Sequence, residues 1–119
     1  MTINNHLPYS TSKKMTQMRR GLLELAVLII IDSARPAMRA DEIMQKLSGT
    51  EFRSPPGTLY SIFSDFRRKN LVDNVYEEQD DSTARKCYYL TNKGNDLMIE
   101  LRSYWNILDA TLKQLNSPR

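Results

Sequence analysis

Hydrophobic and polar positions divide the chain into segments of distinct character. The first fifteen residues are polar, include Pro8 and carry no apolar period, so residues 1–15 are expected to form a flexible arm. From about Thr16 the pattern turns helical. Met18, Leu22, Leu25 and Ile29 make one stripe, and Leu23, Ala26, Val27, Leu28, Ile30 and Ile31 extend apolar surface nearly all round. Such a helix belongs in a core, and Pro36 ends it. A short second helix is expected from about Ala40, with Asp41 and Glu42 in its first turn, Ile43, Met44 and Leu47 inside, and Gly49 as its stop. The turn Ser54-Pro55-Pro56-Gly57 then opens a third helix, whose Leu59, Ile62, Phe63 and Phe66 follow the i, i+3, i+4, i+7 rule and bury one side only.

Asn70 sits where a left-handed helix cap is wanted. Leu71, Val72, Val75 and Tyr76 read as a strand, Glu77 to Thr83 as a polar acidic turn, and Arg85 to Leu90 as the return strand of a β-hairpin. Thr91 is a good N-cap for a final helix that runs to about Leu115. Three helices, a small hairpin and a long last helix make a mainly α fold, the winged helix-turn-helix with a C-terminal dimerisation helix. The expected organisation is an arm over 1–15, a winged-helix DNA-binding domain over 16–90 and a dimerisation helix over 91–119.

The outward side of the third helix carries Thr58, Tyr60, Ser61, Ser64 and Arg68. Hydroxyls and a guanidinium are the groups that contact phosphates and base edges, and a major groove accepts a helix presenting them. A plain solvated face is the alternative, made less apt by the large exposed Tyr60 and by Arg85-Lys86 on the adjacent wing strand. On the last helix Met98, Leu101, Trp105, Leu108, Leu112 and Leu115 are spaced 3, 4, 3, 4, 3, a heptad seam that calls for a partner helix. That partner is either the first helix of the same chain or a second copy. Trp105, the single tryptophan, lies mid-seam. It either packs between helices or forms the flat wall of an intersubunit pore for a planar aromatic ligand, with Asp109 supplying a polar contact.

Charge adds to this picture. The total, 17 Lys+Arg against 14 Asp+Glu or +3, is modest. Its distribution is not. Lys13, Lys14, Arg19 and Arg20 stand without an acid in the first twenty residues, and Arg53, Arg67, Arg68 and Lys69 meet only Asp65 between 53 and 72. Asp73, Glu77, Glu78, Asp80 and Asp81 form an acidic block before the wing strand. One cysteine, Cys87, excludes an internal disulfide, and one histidine, His6, adds too little for the usual zinc sites, so no metal or other cofactor is expected. No Ser/His/Asp set or glycine-rich phosphate loop is found, and an enzyme is not expected. Leu22 to Ile31 is about half a bilayer span and contains Glu24; with no apolar core near the N-terminus, a cytoplasmic protein without a membrane segment is expected.

Four motifs taken together carry a family resemblance. They are Met18-Arg19-Arg20-Gly21-Leu22-Leu23-Glu24-Leu25, Gly57-Thr58-Leu59-Tyr60, Arg85-Lys86-Cys87-Tyr88-Tyr89-Leu90-Thr91 with Gly94, and Trp105. Over about residues 16 to 115 the chain resembles the PadR-like transcriptional regulators of the short type with a single C-terminal helix. The resemblance implies a dimeric repressor whose third helix enters the major groove, whose wing touches backbone and whose first and last helices form the dimer interface. It also implies a phosphate contact for Tyr60, and it likens Trp105 to the tryptophan that stacks planar compounds in the dimer pore of multidrug-sensing members. The larger C-terminal domain of the phenolic-acid sensors has no counterpart here. Two departures stand out: Arg39-Ala40-Asp41 replaces the usual Tyr-Gly-Tyr at the second helix, and Ser64-Asp65 replaces a basic pair.

The expected function is therefore a homodimeric regulator of double-stranded DNA reading a palindromic operator, a repressor with a small aromatic effector as a candidate ligand. Arg53, Arg68, Arg85, Lys86 and the Lys13, Lys14, Arg19, Arg20 group would supply affinity, and Thr58, Ser61 and Ser64 specificity. A protein-interaction module that has lost DNA binding is the alternative, made conceivable by Asp65 and the acidic block. Changing Arg85 and Lys86 together to Ala is expected to weaken binding to every duplex and to lower the slope of log affinity against log salt by about 2. A filter-binding salt series with an unchanged slope would remove the wing from the interface.

Overall fold

The computed structural model describes residues 9–34, 36–77 and 85–118. In chain order the elements are α1 (Tyr9–Ser33), β1 (Met38–Arg39), α2 (Ala40–Ser48), α3 (Pro56–Arg68), β2 (Val72–Glu77), β3 (Arg85–Leu90) and α4 (Asn92–Leu115). This is a winged helix-turn-helix followed by one long helix.

The all-round apolar segment of α1 is central as its pattern predicts, with Leu25, Val27, Leu28 and Ile31 buried and Leu22, Leu23, Ala26, Ile29 and Ile30 packed against the same core. The helix starts earlier than its apolar period suggests. Residues 9–15, read from the sequence as part of an arm, are helical. Nothing between Tyr9 and Thr16 breaks a helix, and once the buried half is formed each added residue gains a backbone hydrogen bond at little cost. Residues 1–8 of the expected arm lie outside the described residues, as does the expected acidic turn beyond its first residue; Glu77, read as the start of that turn, is instead the last residue of β2.

In α2 the Glu42 carboxylate accepts the Arg39 backbone N–H at 3.2 Å, and Ile43 and Leu47 face inward. In α3 Pro56 stands at the helix start, where a missing N–H costs nothing, and Leu59, Phe63 and Phe66 are buried. Its C-terminus closes in a Schellman motif. Asn70 takes φ 61°, its N–H donates to the Arg67 carbonyl at 3.1 Å, and the Leu71 N–H donates to the Phe66 carbonyl at 2.8 Å.

The expected two-stranded hairpin is in fact the larger part of a three-stranded antiparallel sheet in the order β1-β3-β2. Met38 pairs with Tyr88 and Arg39 with Cys87, while Val72 to Glu77 pairs with Leu90 to Arg85. A two-residue strand is too short to show a period, so β1 leaves no pattern in the sequence.

At the start of α4 the Thr91 hydroxyl accepts the Gly94 N–H at 3.0 Å and donates to the Asn70 carbonyl at 2.7 Å. The same face of α4 then enters the core through Met98, which is 4% exposed, with Leu97 and Leu101 packed beside it. Met98, expected in an intersubunit seam, therefore belongs to this chain's own core, with Leu101 partly buried against it; periodicity alone does not reveal where one partner ends and another begins.

Gly94 lies against the Leu71 carbonyl, and a Cβ there would fall 1.9 Å from the Leu71 oxygen. Gly94→Ala is thus expected to destabilise the fold by about 3 kcal/mol in urea denaturation. Gly21→Ala, whose Cβ would meet nothing within 4 Å in mid-helix, is expected to stabilise it by about 0.5–1 kcal/mol.

Candidate nucleic-acid interface

Because α3 buries one side, helical rotation sorts its other residues by direction. Ser61, Ser64 and Arg68 point away from the core, Thr58 lies toward α1, and Tyr60 lies toward the strands; all five are exposed. Tyr60 is held in place from below. Its ring meets Phe63 edge-on with centroids 5.9 Å apart, and Phe63 in turn contacts Tyr88 of β3 at 5.1 Å. Arg67 ties α3 to β2: its Nε donates to the Asn74 side-chain oxygen at 3.0 Å, and its guanidinium lies 3.3 Å from the Asp73 carboxylate.

On the wing, Lys86 is exposed and stands opposite Tyr76, itself exposed, while Arg85 stands opposite Glu77. Strand alternation puts Tyr76 and Lys86 on the same sheet face as Asn74 and Tyr88, the face turned to α3. Tyr76 therefore joins the candidate surface. It was not singled out from the sequence, although the period of two relating Tyr76 to Asn74 was available.

Several charges are already engaged. Asp65 receives the Lys69 ammonium at 2.9 Å and also pairs with the Arg68 guanidinium. The hydrogen bond from Lys69, with Arg68 behind it, holds the Asp65 carboxyl below the usual carboxylate range. Arg68 is thus turned along its own helix. Arg19 donates to the Glu51 carbonyl at 3.2 Å and latches α1 to the loop between α2 and α3. Lys13, Lys14, Arg20 and Arg53 are exposed, and no ion pair involves them among the described residues.

On α4 the stripe that enters the core continues past it uncovered. Trp105, Leu108, Leu112 and Leu115 are 41%, 39%, 61% and 77% exposed, and Tyr104 borders them. Asp109, one turn beyond Trp105, holds Lys113 at 3.0 Å. Among the described residues no group of three His, Cys, Asp or Glu could hold a metal ion, and no helix is long and apolar enough to cross a membrane. His6 lies outside the described residues.

Comparison with known proteins decides the family. Residues 27–100 match the model of the transcriptional regulator PadR-like family. The chain belongs to that family. A PadR-like transcription factor from Bacteroides fragilis has a similar structure, with a TM-score of 0.71, 28% identity, and coverage of 87% of this chain and 98% of that one. A PadR-like transcriptional regulator from Bacillus cereus matches with a TM-score of 0.74 at 24% identity, covering 87% and 99% of the two chains, a likeness of fold. An uncharacterized protein of Lysinibacillus sphaericus is 25% identical over 87 residues, which are 72% of this chain and 80% of the relative. As a PadR-like protein, the chain is a DNA-binding transcription regulator built on the winged helix.

Within this PadR-like fold, the contact between α3 and the wing centres on Tyr88. Burial, and then the neighbouring Tyr60 and Tyr76, push the Tyr88 hydroxyl above its ordinary value of 10.0, against the opposing effect of Arg67. A raised value in the folded state means that this contribution to stability is complete below pH 10.0 and is lost as pH rises through the folded-state value. Urea denaturation at alkaline pH is expected to show that loss, and the Tyr88→Phe variant to lack its share of it.

Proposed function

We propose that the protein is a homodimeric, sequence-specific DNA-binding repressor that reads a palindromic operator. The observation that carries this reading is the outward face of α3, where Thr58, Tyr60, Ser61 and Ser64 offer hydroxyls from a helix fixed to its wing. In this reading α3 lies in the major groove with Ser61 and Ser64 toward base edges and Thr58 at the edge of the contact, while Tyr60, Arg53, Arg68, Arg85 and Lys86 meet phosphates. Arg68 exchanges its Asp65 partner for a phosphate when DNA arrives. A regulator acting on DNA in this way works in the cytoplasm.

The dimer reading is supported by the uncovered half of the α4 stripe. An isolated helix of this composition would leave Trp105, Leu108, Leu112 and Leu115 in water, whereas a second copy removes them from it. Two recognition helices set about 34 Å apart match successive turns of one DNA face. Between the paired helices Trp105 offers a ring face to a planar aromatic effector, with Asp109 as a polar contact once Lys113 is displaced.

Sedimentation of the protein alone and with a pool of duplexes at low and moderate salt tests the reading. A dimer that binds in a salt-dependent manner supports it. A dimer indifferent to DNA at low salt moves the weight to the interaction module, for which the Asp65 clamp on Arg68 and Lys69 speaks. Leu108→Glu with Leu112→Glu is expected to give a monomer with unchanged helical circular dichroism, since both side chains are exposed in the protomer, and to weaken operator binding on the order of 100-fold.

A further inference from the structure

Beside the recognition face lies a groove of about 650 Å³, within the size range of small-molecule sites. It runs between the first half of α1, the loop from Glu51 to Pro55, and the α1-facing edge of α3. Leu23, Phe52 and Ile62, all half-buried, give it an apolar floor. Arg20 and Arg53 stand at its rim, and the Thr58 and Ser61 hydroxyls close its α3 side.

Three acids also border the groove, and the balance among them decides what it can hold. Glu51 is 4.0 Å from the Arg19 guanidinium, and Asp65 is held by Lys69 and Arg68. Glu24 remains, half-buried, against Arg20 and Arg53, neither of which has an ion pair among the described residues. The surplus is positive, on two guanidiniums able to grip an oxyanion by paired N–H donors.

We infer that this groove is a binding site for a small organic anion, a carboxylate, sulfonate or phosphate carried on a compact apolar body. The body lies on Leu23, Phe52 and Ile62, the anionic group meets Arg20 and Arg53, and Thr58 and Ser61 donate or accept at its edge. The site is separate from Trp105. Thr58 and Ser61 also belong to the outward side of α3, so occupancy of the groove and seating of DNA oppose each other; this second half rests on the DNA-binding reading, and the site itself does not.

The test uses 8-anilinonaphthalene-1-sulfonate, an aromatic sulfonate whose fluorescence rises on binding, titrated into the full chain without DNA. Saturable binding is expected, weakened about tenfold or more by Arg20→Ala with Arg53→Ala and restored toward the parent value by Arg20→Lys with Arg53→Lys, and the component that depends on Arg20 and Arg53 is expected to persist in a Trp105→Ala background. Equal melting temperatures of the variants show that folding is not what changed. Absence of binding, equal binding by the double alanine variant, or loss of binding in Trp105→Ala alone overturns the site. Binding that appears only in the Leu108→Glu, Leu112→Glu variant overturns it too, because a second copy then fills the groove. A duplex added at low salt is expected to displace the probe; a ternary complex with both affinities unchanged overturns the opposition while leaving the DNA-binding reading intact.

Discussion

One junction holds the domain in register: the few residues around Leu71 where α3 ends, β2 begins, β3 ends and α4 begins. The Leu71 carbonyl accepts the Thr91 N–H at 3.1 Å while its N–H closes the end of α3 on Phe66. Thr91 reaches Asn70 through its hydroxyl, Lys93 reaches the Lys69 carbonyl at 3.0 Å, and Gly94 lets the helix backbone approach where any Cβ would collide. Every direction that matters, of α3, of the wing and of α4, leaves from this point. The backbone polar groups are satisfied locally, so the junction needs no buried charge to define it.

Much of this was legible in the sequence because it is local or periodic. Asn70 as a left-handed cap, Thr91 as an N-cap and Leu59, Ile62, Phe63 and Phe66 as an inner face rest on rules within one turn of helix, and the structure bears each out. Strand β3 likewise spans Arg85 to Leu90 as its composition suggests. The misses have a common physical origin. β1 is defined by its partner and not by its own two residues, and Met98 and Leu101 share a period with Leu108 and Leu112 while packing against different surroundings. The helical Tyr9 to Met15 has no apolar face, since propagation from the buried half of α1 and not burial makes it helical.

The candidate site was less legible than the fold. Its outward residues follow from helix geometry, but which charges are free depends on distances that spacing does not give. Arg68 was expected to face a ligand outright and instead shares Asp65 with Lys69. Arg67, one residue away, is spent on joining α3 to β2. The use of adjacent arginines for such different purposes is decided by rotation of 100° about the helix axis.

The unbroken stripe along α4 has a geometric consequence. Its first half is gripped by the core at Met98 and its second half projects from it, so the helix acts as a lever with its fulcrum inside the domain. Small changes of volume at the fulcrum swing the far end through a larger arc. In the dimer proposed above, the bite of the two reading heads is then calibrated by side chains that touch neither DNA nor the second copy.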